Sequence, residues 1–389
     1  MDNEKSSNKT AGKLIRCKAV VCREPGVPLV IEEIMVAPPS PYEVRIRIIC
    51  TSLCHSDITF WSLKVPPACC PRILGHEAVG IVESVGENVN EVAEGDVVIP
   101  TLLSDCGECA DCCSEKINLC SKFPFKVYPW MPRYEASKFT DLKGDVLYHF
   151  AFVSSFTEYT VLDISHVVKI DPAIPPNRAC LFGCCIPTGV GAACKTAKVE
   201  AGSTVVIFGI GSIGLAVAKG AKLCGAKRII GVDINPKKFE IGKKFGVTEF
   251  INSKECGDKS LSQVIIEMTG GGADYCFECV GLASLVQEAY ASCRKGWGKT
   301  IVMGVDKPDA QLNFNSFDVV RSWKALMGSL YGGAKPKSDI PLMLKQYMDK
   351  ELEVDEFVTH EVKFEDINKA FELLLEGKSI RCVIWMDRN

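Results

Sequence analysis

The most constraining feature of this sequence is the stretch Thr204-Val205-Val206-Ile207-Phe208-Gly209-Ile210-Gly211-Ser212-Ile213-Gly214. A short apolar run of this kind is the mark of a strand buried on both faces. The glycines that follow fit G-x-G-x-x-G. They permit a tight turn, close approach of a pyrophosphate, and close contact between strand and helix, with the helix N-terminus facing the anion. Apolar or small residues at Ile213, Val217, Ala221 and Cys224 then keep helical spacing. Strand, glycine turn and helix predict a dinucleotide-binding unit in which Gly209, Gly211 and Gly214 approach the cofactor. Asp233 stands nineteen positions after Gly214, at the end of the next apolar run. A carboxylate there accepts hydrogen bonds from the adenosine ribose and repels a 2′-phosphate by as much as ~4 kcal/mol at close range. NAD is therefore expected over NADP.

The pattern continues. Arg228 to Asp233, Glu249 to Ile251, Asp274 to Val280, Thr300 to Val305 and Leu326 to Tyr331 read as further strands, with helical segments between them. Alternating strands and helices predict an α/β fold with a parallel, doubly wound sheet of six strands. Residues 16–188 are different in texture. Val44-Arg45-Ile46-Arg47-Ile48 alternates as a half-buried strand would, and turn signals such as Ala37-Pro38-Pro39-Ser40-Pro41 recur. A chain of 389 residues is too long for one ordinary core. The expected organisation is a polar, flexible tail over 1–15 and a β-rich catalytic domain over 16–188 and 332–389. The cofactor domain, 189–331, is inserted into it.

Twenty-one cysteines are the compositional anomaly. Cys106, Cys109, Cys112 and Cys120 form C-x2-C-x2-C-x7-C, a spacing that lets four thiolates wrap one tetrahedral zinc in a closed, structural site. A second set is dispersed: Cys54-His55-Ser56-Asp57, then Gly75-His76-Glu77, then Cys184 well downstream. A Cys-His-Cys set leaves zinc one open position, as catalysis requires. Sequence separation alone does not show that these three converge.

At these residues the chain resembles the zinc-containing medium-chain alcohol dehydrogenases, especially their plant branch. Cys54 to Asp57, Gly75 to Glu77, the four-cysteine lobe, Gly209 to Gly214, Asp233 and Gly377-Lys378-Ser379-Ile380-Arg381 all occur in matching order. The resemblance implies a GroES-like catalytic domain interrupted by the Rossmann domain, one catalytic and one structural zinc per chain, and a homodimer. Position by position it implies Cys54, His76 and Cys184 as catalytic zinc ligands, Glu77 as a carboxylate able to approach the metal, and Asp57 as the partner of the histidine ligand. It implies His55 and Arg381 near the cofactor pyrophosphate, Lys238 near the adenosine ribose, Ile213 behind the nicotinamide, and Ser56 as the hydroxyl that passes the alcohol proton. Leu102 matches a position lining the substrate pocket, where relatives commonly carry an aromatic ring.

There are departures from the family pattern. Thr59 stands where many members have a histidine, Cys185 and Pro187 replace smaller residues, and an aromatic stretch from Phe123 to Tyr134 replaces a polar loop. They point to a bulky specialised substrate such as a terpenoid or alkaloid. The competing readings are a reductase of a conjugated C=C or iminium group, and a non-catalytic zinc protein that senses NAD(H). A net charge of -3 gives no reason to expect nucleic acid. The polar N-terminus and the absence of an apolar run long enough to span a bilayer predict a cytoplasmic protein with no membrane partner.

Overall fold

Strand Thr204–Phe208 lies inside a six-stranded, all-parallel sheet. The order across it is Glu249–Asn252, Arg228–Asp233, Thr204–Phe208, Tyr275–Glu278, Lys299–Val302 and Ala325–Gly328. Val205 and Ile207 pack on one face with Val217, Ala218 and Ala221 of helix Ser212–Leu223. Val206 and Phe208 pack on the other with Ile230, Ile265 and Ala289. Burial on both faces is why the run is apolar throughout. Chain order reverses at Thr204–Phe208, so the Gly209 turn sits at the switch point where such sheets bind ligands. The strand expected over Asp274 to Val280 is shorter because its ends are used as turns. Asp274 Oδ2 accepts the Thr204 N–H (2.8 Å), and Glu278 Oε1 accepts those of Val280 (2.9 Å) and Gly281 (2.8 Å).

This computed structural model describes residues 10–64, 69–126 and 129–387, and the chain divides into two compact units. The sheet belongs to a unit of Cys185–Ala334 and Asp349–Glu353; the other holds Met1–Cys184, Lys335–Met348 and Val354–Asn389. The boundaries fall a few residues from the expected 188 and 332, for local reasons. Helix Cys185–Gly191 packs along Ser212–Leu223, and a Cβ on Gly189 would come within 2.3 Å of Ala216 Cβ. Segment 349–353 rejoins this unit through Glu353, which takes the Nζ of buried Lys219 at 2.9 Å.

The β-rich unit holds a five-stranded sheet and a seven-stranded sheet over one apolar core. Strand Glu43–Ser52 organises the larger sheet. It pairs antiparallel with Glu77–Val85, with Tyr159–Asp163 along its first half and with Arg381–Trp385 along its end. The alternation read as half-buried holds at Arg47, which is half-buried, but not at Arg45, which is 0% exposed. Its guanidinium binds Glu83 and the carbonyls of Lys13 (2.6 Å) and Thr10 (2.8 Å). Of the tail expected over 1–15, residues 10–15 are not loose: Thr10 and Lys13 are tied down and Ile15 opens strand Ile15–Cys22, while residues 1–9 lie outside the described residues. Among the described residues no single helix is long and apolar enough to cross a membrane.

Candidate active site

Strand register assembles the site. Ser52 lies opposite Glu77 on one neighbour and Val383 on the other, and the Leu53 N–H donates to Cys382 O at 3.0 Å. The chain segments carrying Cys54, His76 and Arg381 are thereby drawn to one end of the sheet. Helix His55–Ser62 starts there with Cys54 as its N-cap. Asp57, wholly buried, holds the two loops together. Its Oδ2 accepts the Cys54 N–H (3.0 Å), and its Oδ1 accepts the Gly75 N–H (3.0 Å) and lies 3.1 Å from His76 Nδ1. Gly75 adopts φ +90°, and a Cβ there would strike Phe156 and Ser155 at 2.5 Å, so only glycine fits.

Cys54, His76 and Cys184 are all buried, and one ligand atom from each lies within 4.8 Å of the others. With Nδ1 given to Asp57, Nε2 is the nitrogen left for a metal. Cys54 is held well below the ordinary thiol value by hydrogen bonding from Cys184, against its own burial, with help from Arg381 and His76. The same bond, with burial, pushes Cys184 well above it. Burial opposes the charged form of His76, yet Asp57 and Cys54 raise it well above its usual value. Two thiols and an imidazole in one dry pocket suit a cation that takes both sulfurs as thiolates. Three protein donors leave a tetrahedral ion one position for substrate.

Two residues are set differently from expectation. Glu77 is not in the ligand set: its oxygens face Arg381 Nε at 3.0 Å and Nη2 at 3.4 Å. Burial raises this carboxyl to about 7, with Arg381 pulling against it. Arg381, 1% exposed, is occupied by Glu77 and by Cys54 Sγ at 3.5 Å, so the arginine expected at the pyrophosphate is buried behind the ligand sulfur. Two buried, opposite charges side by side avoid the cost of leaving either unpaired. Nothing in the sequence signals that pairing, as 304 residues separate them. Phe150, whose ring meets His76 edge-on at 5.6 Å, was missed for the same reason.

Ser56 is half-buried with Oγ 3.8 Å from Cys54 Sγ, and His55 is exposed. Thr59 donates its hydroxyl to His55 O at 3.1 Å. Leu102 is half-buried. The aromatic residues described in the Phe123 to Tyr134 stretch are half-buried, partly exposed and partly engaged with neighbours. Arg133 lies over Phe123 (4.5 Å) and Tyr42 (4.4 Å) and pairs with Asp163, Phe125 meets Phe152, and Met131 is fully buried. Val127 and Tyr128 lie outside the described residues.

The second cysteine set also closes: ligand atoms of Cys106, Cys109, Cys112 and Cys120 lie within 4.8 Å of one another. Hydrogen bonds from Ser121 and the Cys112 N–H bring Cys109 down to about 5. Cys113 is exposed and outside the set. Lys335, with no sequence signal, donates Nζ to the carbonyls of Asp111 (3.3 Å), Cys112 (2.5 Å) and Ser114 beneath the lobe.

In the α/β unit, Gly209 takes φ +92°, and a Cβ on Gly214 would lie 2.0 Å from Gly209 O. A Cβ on Gly211 would instead point into open space, which fits a position kept clear for a ligand. Ile213 follows on the first turn of the helix, half-buried. Asp233 Oδ2 accepts the Ile210 N–H and Lys238 Nζ, both at 2.9 Å, and Oδ1 accepts the Asn235 N–H. Oδ2 is filled by two donors while Oδ1 keeps a lone pair, so the carboxylate can accept a ribose hydroxyl there.

Comparison with known proteins defines the class to which this fold and these sites belong. Residues 40–172 match the family model of an alcohol dehydrogenase GroES-like domain, and residues 212–350 that of a zinc-binding dehydrogenase. The chain is 70% identical to alcohol dehydrogenase-like 7 of Arabidopsis thaliana over 99% of both chains. It is 47% identical to the class-3 alcohol dehydrogenase of Oryza sativa subsp. japonica, covering 98% of this chain and all of that one. Among solved structures, benzyl alcohol dehydrogenase from Acinetobacter calcoaceticus superposes with TM-score 0.84 at 28% identity, over 96% of this chain and 100% of the other. The chain belongs to the zinc-dependent medium-chain alcohol dehydrogenase family, in its plant branch, and is an enzyme of that family.

Proposed function

We propose that this enzyme interconverts an alcohol and an aldehyde or ketone, with NAD(H) as hydride carrier. The observation that carries the reading is the buried Cys54–His76–Cys184 set, with His76 oriented by Asp57; three such donors would leave a tetrahedral zinc one position for substrate. Zinc held there supplies Lewis acidity, lowering the pKa of an alcohol oxygen. The remaining work belongs to the chain. Asp57 fixes the His76 tautomer, Ser56 accepts the alcohol proton at Oγ and passes it outward, and Phe150 keeps water from the imidazole edge. Gly209, Gly211 and Gly214 with the following helix N-terminus receive the pyrophosphate; Asp233 receives the adenosine ribose and Lys238 tempers its charge. Ile213 backs the nicotinamide, and the family resemblance assigns His55 to the cofactor phosphates.

For the substrate we infer a bulky primary alcohol or its aldehyde, of terpenoid or alkaloid size. Leucine at 102 leaves more width than a flat ring, and each further buried methylene adds ~0.8 kcal/mol. The likeness to a benzyl alcohol dehydrogenase supports an alcohol larger than ethanol. Intact donors favour carbonyl chemistry over reduction of a conjugated C=C or iminium group, since polarising an oxygen is what the metal does well. Steady-state kcat/KM tests the proposal: NADH above NADPH, a ten-carbon alcohol above ethanol, and Leu102→Phe narrowing that second gap. His76→Ala should lose one zinc per chain and essentially all turnover while keeping its far-ultraviolet spectrum. Wild-type turnover in a His76→Ala protein of verified metal content, or ethanol as the best substrate, overturns the corresponding part.

A further inference from the structure

Most cysteines here are in the zinc sets or buried, but four in the α/β unit, Cys194, Cys224, Cys256 and Cys279, are neither, and two of these four meet. Cys194, in the helical segment Ala192–Ala197, and Cys224, the C-cap of helix Ser212–Leu223, are both partly exposed, with sulfurs 3.2 Å apart. That is closer than sulfur pairs within the four-cysteine lobe, at 3.8 and 3.9 Å, and closer than Cys22 to Cys70 at 3.9 Å. The approach is imposed by the backbones. A Cβ on Gly220 would lie 2.9 Å from Val190 Cα and from Ala193 Cβ, so glycine lets the two helical segments touch beside the sulfurs. The Cys194 thiol also reaches Gly220 O at 3.7 Å. No described carboxylate, histidine or third sulfur joins them, so the pair is not a metal set among the described residues.

We propose that Cys194 and Cys224 form a reversible disulfide modification site, oxidised by hydrogen peroxide and reopened by a dithiol. One thiolate of the pair attacks a peroxide oxygen, breaking the O–O bond to give a sulfenic acid and hydroxide, which takes up a proton as water. The second sulfur, as thiolate, attacks the sulfenic sulfur and expels hydroxide, protonated to a second water. Both thiols are oxidised by one electron each, and one peroxide becomes two waters. The sulfur–sulfur hydrogen bond lets one member of the pair ionise while the other keeps its proton, so either can attack and its neighbour resolves. The bond would close a loop across |i−j| = 30 and staple the end of helix Ser212–Leu223 opposite its glycine turn. Loop closure of this length stabilises chiefly by restricting the unfolded chain.

The test uses the full, zinc-loaded enzyme treated with near-stoichiometric peroxide, then alkylated, digested and mass-mapped, with metal content measured in parallel. The expected result is a linked 194–224 peptide lighter by two hydrogens at full zinc content, reversed by dithiothreitol. The oxidised wild type should melt several degrees higher. Cys194→Ser and Cys224→Ser should each stop at a sulfenic or further-oxidised form of the remaining cysteine, with no linkage and no Tm rise. A wild type that gives no 194–224 linkage before zinc is lost, or one whose linkage leaves Tm unchanged, overturns the proposal.

Discussion

At the scale of single residues, one carboxylate does the orienting. Asp57 accepts two backbone N–H groups from different loops and faces the His76 ring, so Cys54 and His76 are set by the same anchor. Two other histidines show the opposite use of burial. His149 accepts the Lys138 N–H on Nε2, and His166 turns Nδ1 to Thr101 O at 2.9 Å. Burial, with the charge of Lys138, lowers His149 to about 3; burial lowers His166 to about 4, against the pull of Asp163. Both stay neutral in the folded chain while the unfolded chain takes up protons below about 6.5. Stability therefore falls as pH drops from about 6.5 toward 4, by about 1.4 kcal/mol per pH unit for each histidine. Urea unfolding at pH 7, 6 and 5 checks this: His166→Gln should flatten the slope by about half. An unchanged slope in the variant would mean the acid sensitivity lies elsewhere, for instance in metal release.

At the scale of elements, the cysteine lobe has no core of its own. Its short helix, Ala110–Cys113, buries no residue. Metal and Lys335 must hold what apolar packing does not. Cys109→Ser is expected to lose one zinc per chain and to lower Tm. Lys335→Ala leaves four thiolates in place but removes a cation from three carbonyls, a loss of about 1–3 kcal/mol. Zinc release to a chelator should quicken several-fold in Lys335→Ala, and equal rates would leave the lysine without that role. These elements also show what a sequence discloses. The lobe and the Gly209 turn are legible because their chemistry depends on spacings of a few residues. The strands from Thr204 to Gly328 are legible because burial on both faces writes continuous apolar runs. The convergence of Cys54, His76 and Cys184 rested on family resemblance, since it depends on the pairing of Glu43–Ser52 with distant strands. Arg45 was misread because period two does not reveal that a neighbouring segment covers the outer face. Lys335, Phe150 and the Glu77–Arg381 pair leave no local pattern at all.

At the scale of the molecule, the α/β unit has an unfinished side. Strand Ala325–Gly328 ends the parallel sheet with one partner, leaving a row of backbone N–H and C=O groups open along its other edge. Beside it, helix Ser316–Ser322 exposes Phe317 by 72% and Val320 by 80%, and Trp323 after it is 79% exposed. Trp323 also sits in the left-handed region, φ 47°, which costs a bulky residue of order 1 kcal/mol or more. A strained, open tryptophan beside an open strand edge is poor design for a monomer in water. A second copy would relieve both faults: related by a two-fold axis, two such edges would pair antiparallel into one continuous sheet, with the apolar helices covering each other. We therefore expect a homodimer through this edge. Light scattering with size-exclusion chromatography should give twice the chain mass, and Val320→Asp with Trp323→Asp should move the protein to monomer at micromolar concentration. A wild type that runs as a monomer, or a double variant that stays dimeric, would place the contact elsewhere or remove it.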